Sequence, residues 1–339
     1  MSEITKVALD AMGGDNAPGE IVKGAVEAIK KRQDIKVLLV GREEVLKETL
    51  SGYEYPKEQL EIVNATEEIE MAEPPVLAIR RKKDSSMSVA MRLVHDKKAD
   101  AVVSAGNSGA VLVGGQLLVG KIKGVERTPL APLIPTARGV SLLIDCGANV
   151  DARPAHLVQF AKMGAIYMEH VVGKKNPTVG IVNIGAEEEK GNALVRETFP
   201  LLKECSGINF AGSVEARDIP AGAVDVIVCE AFVGNVILKM YEGIAGTLLS
   251  KVKSGMMVNL RSKIGALLVK PALKTTLKEF DASGYGGAPM LGLKGLVVKT
   301  HGSSKSTEVC NSIIQCVTFK EQNISDKIAA AIQTESKEA

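Results

Sequence analysis

The chain of 339 residues carries 42 Lys and Arg against 40 Asp and Glu, so its formal net charge is only +2. Hydrophobic residues make up 45% of it and aromatic residues only 3%. This high content of hydrophobic residues, together with the low net charge, excludes a disordered chain. The lack of a basic excess and the scarcity of aromatic side chains argue against a nucleic-acid partner.

Short aliphatic runs recur along the chain, and each is followed by a polar loop and a helical pattern. Strands are expected, in chain order, at 7–9, 36–40, 60–63, 101–103, 140–144, 178–182, 224–228 and 296–298. Helices are expected at 20–31, from 43, at 110–119, from 151 to about 172, and after 235. This alternation predicts an α/β fold with a mostly parallel sheet and helices on both faces. In such sheets, ligands bind at the carboxyl ends of the strands.

No linker, low-complexity tract or fixed repeat divides the sequence, so we expect a single α/β domain over residues 1–339, with a helical amphipathic excursion near 250–280. The first residues lack a charged-then-apolar leader, which argues against a secretory signal. The uncharged stretch 101–120 is interrupted by glycines and polar residues, which favours a strand, a turn and a helix over a membrane span. The five cysteines show no zinc spacing, so we expect buried thiols in a reducing cytosol and no metal site.

The loop from Asp10 to Gly19 is the most informative one. Gly13 and Gly14 permit a positive φ and a close approach of the backbone to a ligand. The start of the helix that follows offers free N–H groups to an anion. The loop is neither a Walker A motif nor a dinucleotide fingerprint, because Glu20 follows Gly19 and no G-x-G-x-x-G occurs there. Taken alone, it is equally well interpreted as a tight turn between a strand and a helix.

Three later loops also combine Asn with Gly after a strand, at 104–109, 145–151 and 183–191. At one edge of a sheet, such loops offer many amide donors and little fixed positive charge, which suits a phosphate or acyl-phosphate group. No serine-nucleophile elbow and no metal-binding histidine pair is present. Among the four histidines only His301 follows a strand, and its role at this edge stays open.

The segment 251–278 combines an apolar stripe with basic borders and has no acidic residue until Glu279. Its expected contact residues are Met257, Leu260, Arg261, Ile264, Leu267 and Leu268. Such a pattern indicates an interfacial helix on an anionic membrane or a dock for an acidic partner. A helix buried in a dimer interface is the alternative. Pro271 predicts a break, and therefore two helices.

Taken in order, the loops resemble the bacterial acyl-ACP:phosphate acyltransferase (PlsX) family over essentially the whole chain. The residues that carry the resemblance are Asp10-Ala-Met-Gly-Gly-Asp15, Ser104-Ala-Gly-Asn107, Gly147-Ala-Asn-Val-Asp151, Asn183-Ile-Gly185 with Lys190-Gly-Asn192, Phe232-Val-Gly-Asn235, and Tyr285-Gly-Gly-Ala-Pro289 with His301-Gly-Ser-Ser304. Two positions depart from the family pattern, since Glu230-Ala231 stands for Asp-Gly and Ser108 for Thr.

The resemblance implies a Rossmann-like three-layer α/β/α fold, related to phosphotransacetylase and isocitrate-dehydrogenase-type folds, in a homodimer without a cofactor. It also implies the reaction, in which inorganic phosphate attacks the thioester of an acyl-acyl carrier protein to give acyl phosphate. A membrane glycerol-3-phosphate acyltransferase would use that product for phospholipid synthesis. The protein is then expected in the cytoplasm, peripherally attached to the inner face of the cell membrane.

The resemblance and the loop chemistry together assign roles to individual residues. The expected donors around phosphate and the thioester carbonyl are Gly13, Gly14, Asn107, Asn149, Asn183 and Asn235. Asp10, Asp15 and Asp145 are expected to orient these groups or to handle a proton, with Asn107 and His301 as further catalytic candidates. Lys190 is expected to contact phosphate or the carrier protein.

Three other functions remain open at this point. A phosphotransacetylase would use coenzyme A on the same scaffold. A metal- and NAD-dependent decarboxylating dehydrogenase would need carboxylate ligands and a nicotinamide site, and the sequence shows no dedicated motif for either. A non-catalytic membrane scaffold for lipid enzymes would need only the amphipathic segment.

Overall fold

The computed structural model describes residues 3–279 and 282–338, with strands and helices alternating through most of the chain. The strands are β1 (Thr5–Asp10), β2 (Ile35–Gly41), β3 (Leu60–Asn64), β4 (Ala101–Ser104), β5 (Leu133–Thr136), β6 (Gly139–Ile144), β7 (Thr178–Val182), β8 (Asn209–Val214), β9 (Val226–Val228), β10 (Ala288–Met290) and β11 (Leu296–Lys299). The helices are α1 (Gly19–Lys31), α2 (Glu43–Leu50), α3 (Pro75–Arg81), α4 (Ser86–His95), α5 (Ser108–Gly114), α6 (Pro154–Tyr167), α7 (Ala193–Glu204), α8 (Ala231–Met256), α9 (Leu260–Glu279), α10 (Ser306–Glu321) and α11 (Ile324–Glu338).

The strands form two sheets, in the orders β10-β11-β4-β1-β2-β3 and β5-β6-β9-β7-β8. Every pairing within them is parallel except β10 with β11 and β5 with β6. The prediction of an α/β fold with mostly parallel strands is therefore confirmed. The expectation of one sheet was wrong, because the described strands form two sheets. Isolated antiparallel bridges between Leu130 and Met290 and between Lys121 and Leu293 connect the segment before β5 with β10 and the loop that follows it.

Helices cover both faces of the strands, and one cluster of buried side chains includes residues of both sheets. Val7 and Val103 of the first sheet belong to the same cluster as Leu142 and Val179 of the second. Strands covered on both faces need continuous rather than alternating apolar residues, which explains why aliphatic runs marked them in the sequence. Close helix packing adds to this core: a Cβ on Gly24 of α1 would lie 2.6 Å from a side-chain atom of Val309 on α10.

The amphipathic excursion is built from α8 and α9, and its helix boundaries differ from the expected ones. Helix α8 already begins at Ala231, so that Asn235 lies in its early turns rather than in a loop. The chain leaves the helix after Met256 and continues as α9 from Leu260, whereas Pro271 lies inside α9. The break expected at Pro271 was therefore wrong. Helix α9 is mostly exposed there, and water can take the place of the hydrogen bond that proline cannot donate.

Within residues 3–279 and 282–338, no helix is both long enough and apolar enough to cross a bilayer.

Candidate active site

The first group of loops consists of those at the carboxyl ends of the strands of the first sheet. Asp10, the last residue of β1, lies among them and is only 1% exposed. Its Oδ1 accepts a hydrogen bond from Ser86 Oγ at 2.6 Å, and its Oδ2 accepts one from Ser104 Oγ at 2.7 Å. The backbone N–H groups of Met12 and Gly13 donate to the same carboxylate. Burial raises the pKa of Asp10, and these hydrogen bonds oppose the shift. The carboxylate thus ties together three segments that are distant in the chain.

Gly13 and Gly14 allow the loop after β1 to pack closely against the loop after β4. A Cβ on Gly13 would lie 2.5 Å from Asp10 Oδ2 and 2.8 Å from the backbone nitrogen of Gly106. Gly14 has a φ of +104°, which side chains rarely adopt, and a Cβ there would lie 2.8 Å from that of Ala105. Both glycines are therefore required by the site's own backbone geometry.

Lys299, at the end of β11, is a buried cation beside this carboxylate that the sequence did not single out. It is 8% exposed, and its Nζ donates to the backbone carbonyls of Ala105, at 3.3 Å, and Thr300. Burial lowers the pKa of Lys299 to about 8, the charges of Asp10 and Asp15 oppose the shift, and that of Lys239 adds to it. A lysine closing an otherwise aliphatic strand, Leu-Val-Val-Lys, was the signal in the sequence that could have revealed it.

The loop after β11 closes over the loop after β1. The backbone N–H of Asp15 donates to the carbonyl of Gly302 at 2.8 Å, and Asn16 Nδ2 donates to the carbonyl of Ser303 at 2.9 Å. His301 is exposed, and its Nδ1 accepts from the backbone N–H of Ser303 at 3.2 Å. Asp10 at the end of β1 thus lies beside the loops after β1 and β11, which carry Gly13, Gly14, Asp15 and His301 and meet near Lys299.

Asn107 lies in the same group of loops, but its side chain is occupied by structural hydrogen bonds. Its Oδ1 accepts from the backbone N–H of Ala110 and caps α5, while its Nδ2 donates to backbone carbonyls of the 70–73 segment, closest at 2.9 Å to Met71. Its expected role as a donor to the substrate stays a prediction, and in this structure it braces the loop.

Asp145 and Asn149 follow β6 and belong to the second group of loops. The carboxylate of Asp145 accepts from the backbone N–H groups of Leu130, Gly147, Ala148 and Asn149 and from Asn149 Nδ2. Burial raises the pKa of Asp145, with those hydrogen bonds opposing the shift. Asn149 Nδ2 also donates to the carbonyl of Thr128 at 3.1 Å. Both side chains are fully engaged in holding their loop.

Asn183 and Lys190 lie at the two ends of the loop that follows β7. Asn183 Nδ2 donates to Ser213 Oγ at 3.1 Å and to the carbonyl of Lys190 at 3.3 Å. The Nζ of Lys190 pairs with the carboxylate of Glu187, and both side chains are exposed. The hydrogen bond to Glu187 raises the pKa of Lys190, so this residue is a cation at neutral pH and is accessible to an anion or an acidic partner.

The first turns of α8 pack directly onto the Asp145 loop. A Cβ on Gly234 would lie 1.9 Å from the carbonyl oxygen of Asp145, so only glycine fits there. Glu230 caps the helix by accepting from the backbone N–H groups of Phe232 at 2.5 Å and Val233 at 2.9 Å. Glu230, which stands where the family pattern has the shorter Asp, therefore caps this helix. Asn235 is exposed on the next turn.

Two observations indicate that the loops at the carboxyl end of the first sheet lie near those at the carboxyl end of the second. The charge of Lys239 on α8 acts both on Lys299, at the end of the first sheet, and on Cys146, which follows Asp145. Ala148, in the loop after β6, packs against a cluster that contains Ala8 and Val102 of the first sheet. The carboxyl ends of both sheets therefore face a shared region, as ligand sites in α/β proteins do.

The residues expected at a membrane are exposed on the excursion. Leu260 is 73% exposed, Ile264 54%, Leu267 70% and Leu268 77%, and Met257, between the two helices, is 53% exposed. Arg261 is exposed beside them. Within the described ranges, no side chain covers the apolar stripe, which is therefore open to a membrane or a second subunit.

A family model described as "Fatty acid synthesis protein" matches residues 5–327. A phosphate acyltransferase of Alkaliphilus oremlandii is 50% identical over 97% of this chain and 98% of its own length. A phosphate acyltransferase of Clostridium acetobutylicum is also 50% identical, over 96% of this chain and 98% of its own.

Among solved structures, a phosphotransacetylase from Streptococcus pyogenes superposes with a TM-score of 0.63 at 16% identity, over 98% of this chain and 95% of its own. That likeness shows that the two proteins share a fold. The match of the family model and the identity with whole phosphate acyltransferases show more: the chain belongs to the phosphate acyltransferase family of fatty acid synthesis proteins, which are acyltransferase enzymes.

Proposed function

We propose that the protein transfers a fatty acyl group from the thioester of an acyl-acyl carrier protein to inorganic phosphate, producing acyl phosphate and free carrier. Membership of the phosphate acyltransferase family supports acyl transfer to phosphate. The observation that carries the proposal is the buried centre of Asp10 and Lys299 at the meeting point of three loops, because it combines a fixed cation with a carboxylate at a strand edge. The cation suits a phosphate and the carboxylate suits a proton-transfer step.

The reaction requires no nucleophile from the protein. A phosphate oxygen forms a bond to the thioester carbonyl carbon, and the carbon–sulfur bond then breaks. The sulfur leaves with the electron pair and takes up a proton as the carrier's thiol. The loops would orient phosphate against the carbonyl and stabilise the oxyanion of the tetrahedral intermediate. Asp10, hydrogen-bonded to Ser86 and Ser104, would orient this network or receive the proton of dihydrogen phosphate.

The partners follow from the product. Acyl phosphate carries an acyl chain and would be handed to a membrane glycerol-3-phosphate acyltransferase for phospholipid synthesis. We propose that the exposed stripe on α9 rests on the anionic inner face of the cell membrane, since its apolar side chains are bordered by basic ones. The protein would act there as a cytoplasmic, peripheral homodimer with one α/β domain per chain.

The direct test is to incubate the purified protein with palmitoyl-acyl carrier protein and to measure free carrier thiol with and without inorganic phosphate. Release that depends on phosphate is expected. If carrier release did not depend on phosphate, the proposal would fail. Turnover of acetyl-coenzyme A in its place would favour a phosphotransacetylase activity.

A separate test addresses the membrane. The double variant Leu260→Glu and Ile264→Glu is expected to lose binding to vesicles containing anionic lipid and to keep its turnover of a soluble donor. Vesicle binding equal to that of the unmodified protein would assign the stripe to a subunit interface instead.

A further inference from the structure

An apolar cleft of about 390 Å³ opens between the loop after β7 and the first turns of α8. Ile181, Val195, Val233 and Ile237 contribute to its walls, and the buried Leu157 of α6 also lines it. Its volume lies within the range of about 300–1,000 Å³ that is usual for small-molecule sites. A concave apolar surface of this size left open to water indicates a binding site.

The polar side chains that line this cleft already have hydrogen-bond partners within the protein. Asn183 Nδ2 donates to Ser213 Oγ, Asn192 Oδ1 caps α7 at the N–H of Val195, and the carboxylate of Glu230 caps α8. No lysine or arginine is among the lining residues. An occupant of this cleft therefore gains contact from apolar surface alone, which suits a hydrocarbon chain and does not suit a nucleotide or another polar ligand.

The position of the cleft connects it with the candidate active site. Asn183 and Glu230, which border it, follow β7 and β9, at the same carboxyl edge of the second sheet as Asp145. The helix that forms one wall packs onto the Asp145 carbonyl through Gly234. A chain held in this cleft would therefore bring its thioester end to the polar loops.

We propose that this cleft holds the fatty acyl chain of the substrate, with its methylene groups between Val195 and Val236 and the thioester at the polar edge. The inference rests on the proposed function, since it names where that reaction's acyl chain lies. Ile184 and Phe232, which are 78% and 64% exposed, would close over the chain and lose contact with water.

Val236→Phe narrows the cleft at a side chain that is 49% exposed, so the fold should tolerate it. Each methylene displaced from an apolar site weakens binding by about fourfold. We therefore expect kcat/KM for palmitoyl-acyl carrier protein to fall by about tenfold or more. For butyryl-acyl carrier protein, a short-chain donor, kcat/KM should change less than twofold, and so should the KM for phosphate. Val252→Phe, further along α8 and outside the cleft, is the matched control and should leave both donors unaffected.

Photolabelling of the unmodified protein provides a second readout that does not depend on folding of a variant. A palmitoyl chain with a terminal diazirine, attached to acyl carrier protein, should label peptides that contain 181–195 or 230–237. Turnover with labelling confined to other peptides, or an unchanged chain-length profile in Val236→Phe, would overturn the cleft assignment and leave the proposed function standing. No phosphate-dependent turnover by the unmodified protein would instead overturn the function itself.

Discussion

Asp10 and Asp145 both lie at the carboxyl end of a strand, one in each sheet, but differ in the groups that bind them. Asp10 ends β1 and Asp145 directly follows β6, both are at most 1% exposed, and burial raises the pKa of each. Two of the donors to Asp10 are hydroxyl groups, from Ser86 and Ser104. All five hydrogen bonds to Asp145 come from N–H groups, four of them on the backbone.

This difference distinguishes a carboxylate with adaptable partners from one with fixed partners. A serine hydroxyl can turn and accept a hydrogen bond, whereas an N–H group can only donate. The surroundings of Asp10 can therefore adapt when its charge or protonation changes, and the cation of Lys299 lies nearby. Those of Asp145 require an acceptor at every contact. We infer that Asp10 acts in the reaction and that Asp145 holds its loop in place.

The substitution Asp10→Asn tests this inference most severely. It keeps the size of the side chain, and one serine hydroxyl can accept from the new amide while the remaining oxygen still accepts from backbone N–H groups, so the free energy of unfolding should fall by less than in Asp145→Asn. The loss of a carboxylate that orients or deprotonates phosphate should lower kcat/KM by about 10²- to 10³-fold. Steady-state assays and urea unfolding measure the two quantities. Activity close to that of the unmodified protein would assign the proton transfer to another group.

Asp145→Asn should show the opposite pattern. The new amide group faces N–H donors that cannot accept from it, and each buried donor left unsatisfied costs about 1–3 kcal/mol. We expect the free energy of unfolding to fall by about 2–4 kcal/mol, and kcat/KM of the folded fraction to fall less than in Asp10→Asn. An unchanged unfolding midpoint together with a hundredfold loss of activity would reverse the roles of the two carboxylates.

Lys299 sharpens the comparison, because it is a buried cation whose charge acts on the Asp10 site. Its pKa is lowered to about 8, so the charge is present at neutral pH and is lost as the pH rises through 8. If the cation supports phosphate binding, the KM for phosphate should rise several-fold between pH 7 and 9. Lys299→Arg keeps its charge over this range and should show a flat profile. A parallel rise in both proteins would show that another group titrates.

A rise in pH that would weaken phosphate binding at Lys299 should increase the contribution of the same lysine to folding stability. Because its pKa in the folded chain lies below its ordinary value of 10.5, the unfolded chain binds more protons between about pH 8 and 10.5. The contribution of Lys299 to stability therefore rises with pH across that window. Lys299→Met, which has no titratable group, should lack this component.

The sequence predicted most strands and helices, because local patterns decide them. Aliphatic runs marked the strands that are buried on both faces, such as Thr178–Val182, which was predicted to the residue. Which strands share a sheet depends on pairings between distant segments, and no local pattern revealed the division into two sheets. Likewise, a break was expected at Pro271 because proline removes a hydrogen bond from a helix interior, but α9 is exposed and continues through this residue.

Local sequence patterns also predicted part of the candidate site. The polar loops after the strands were found from their Asn, Asp and Gly residues, and the structure brings Asp10 and the loops that carry Asp15 and His301 near Lys299. Lys299 itself was missed, because a lysine at a strand end is ordinary on a surface and only burial makes this one unusual. The role of the asparagines as donors to the substrate stays a prediction; in this structure the Nδ2 groups of Asn107 and Asn149 donate to backbone carbonyls of other segments.

Glu230 provides the test with the smallest expected effect, since it is a third carboxylate that follows a strand, here β9, and its hydrogen bonds within the described part of the chain come from N–H groups of its own helix. It resembles Asp145 in its partners but is partly exposed, so water can replace a lost acceptor. Glu230→Gln removes one charge from the N-terminus of α8 and keeps one acceptor. The free energy of unfolding should fall by about 0.5–1 kcal/mol, and kcat/KM should stay within twofold. A larger loss of activity without loss of stability would show that the capping carboxylate also acts on the substrate, and that partners alone do not distinguish structural from functional carboxylates at this edge.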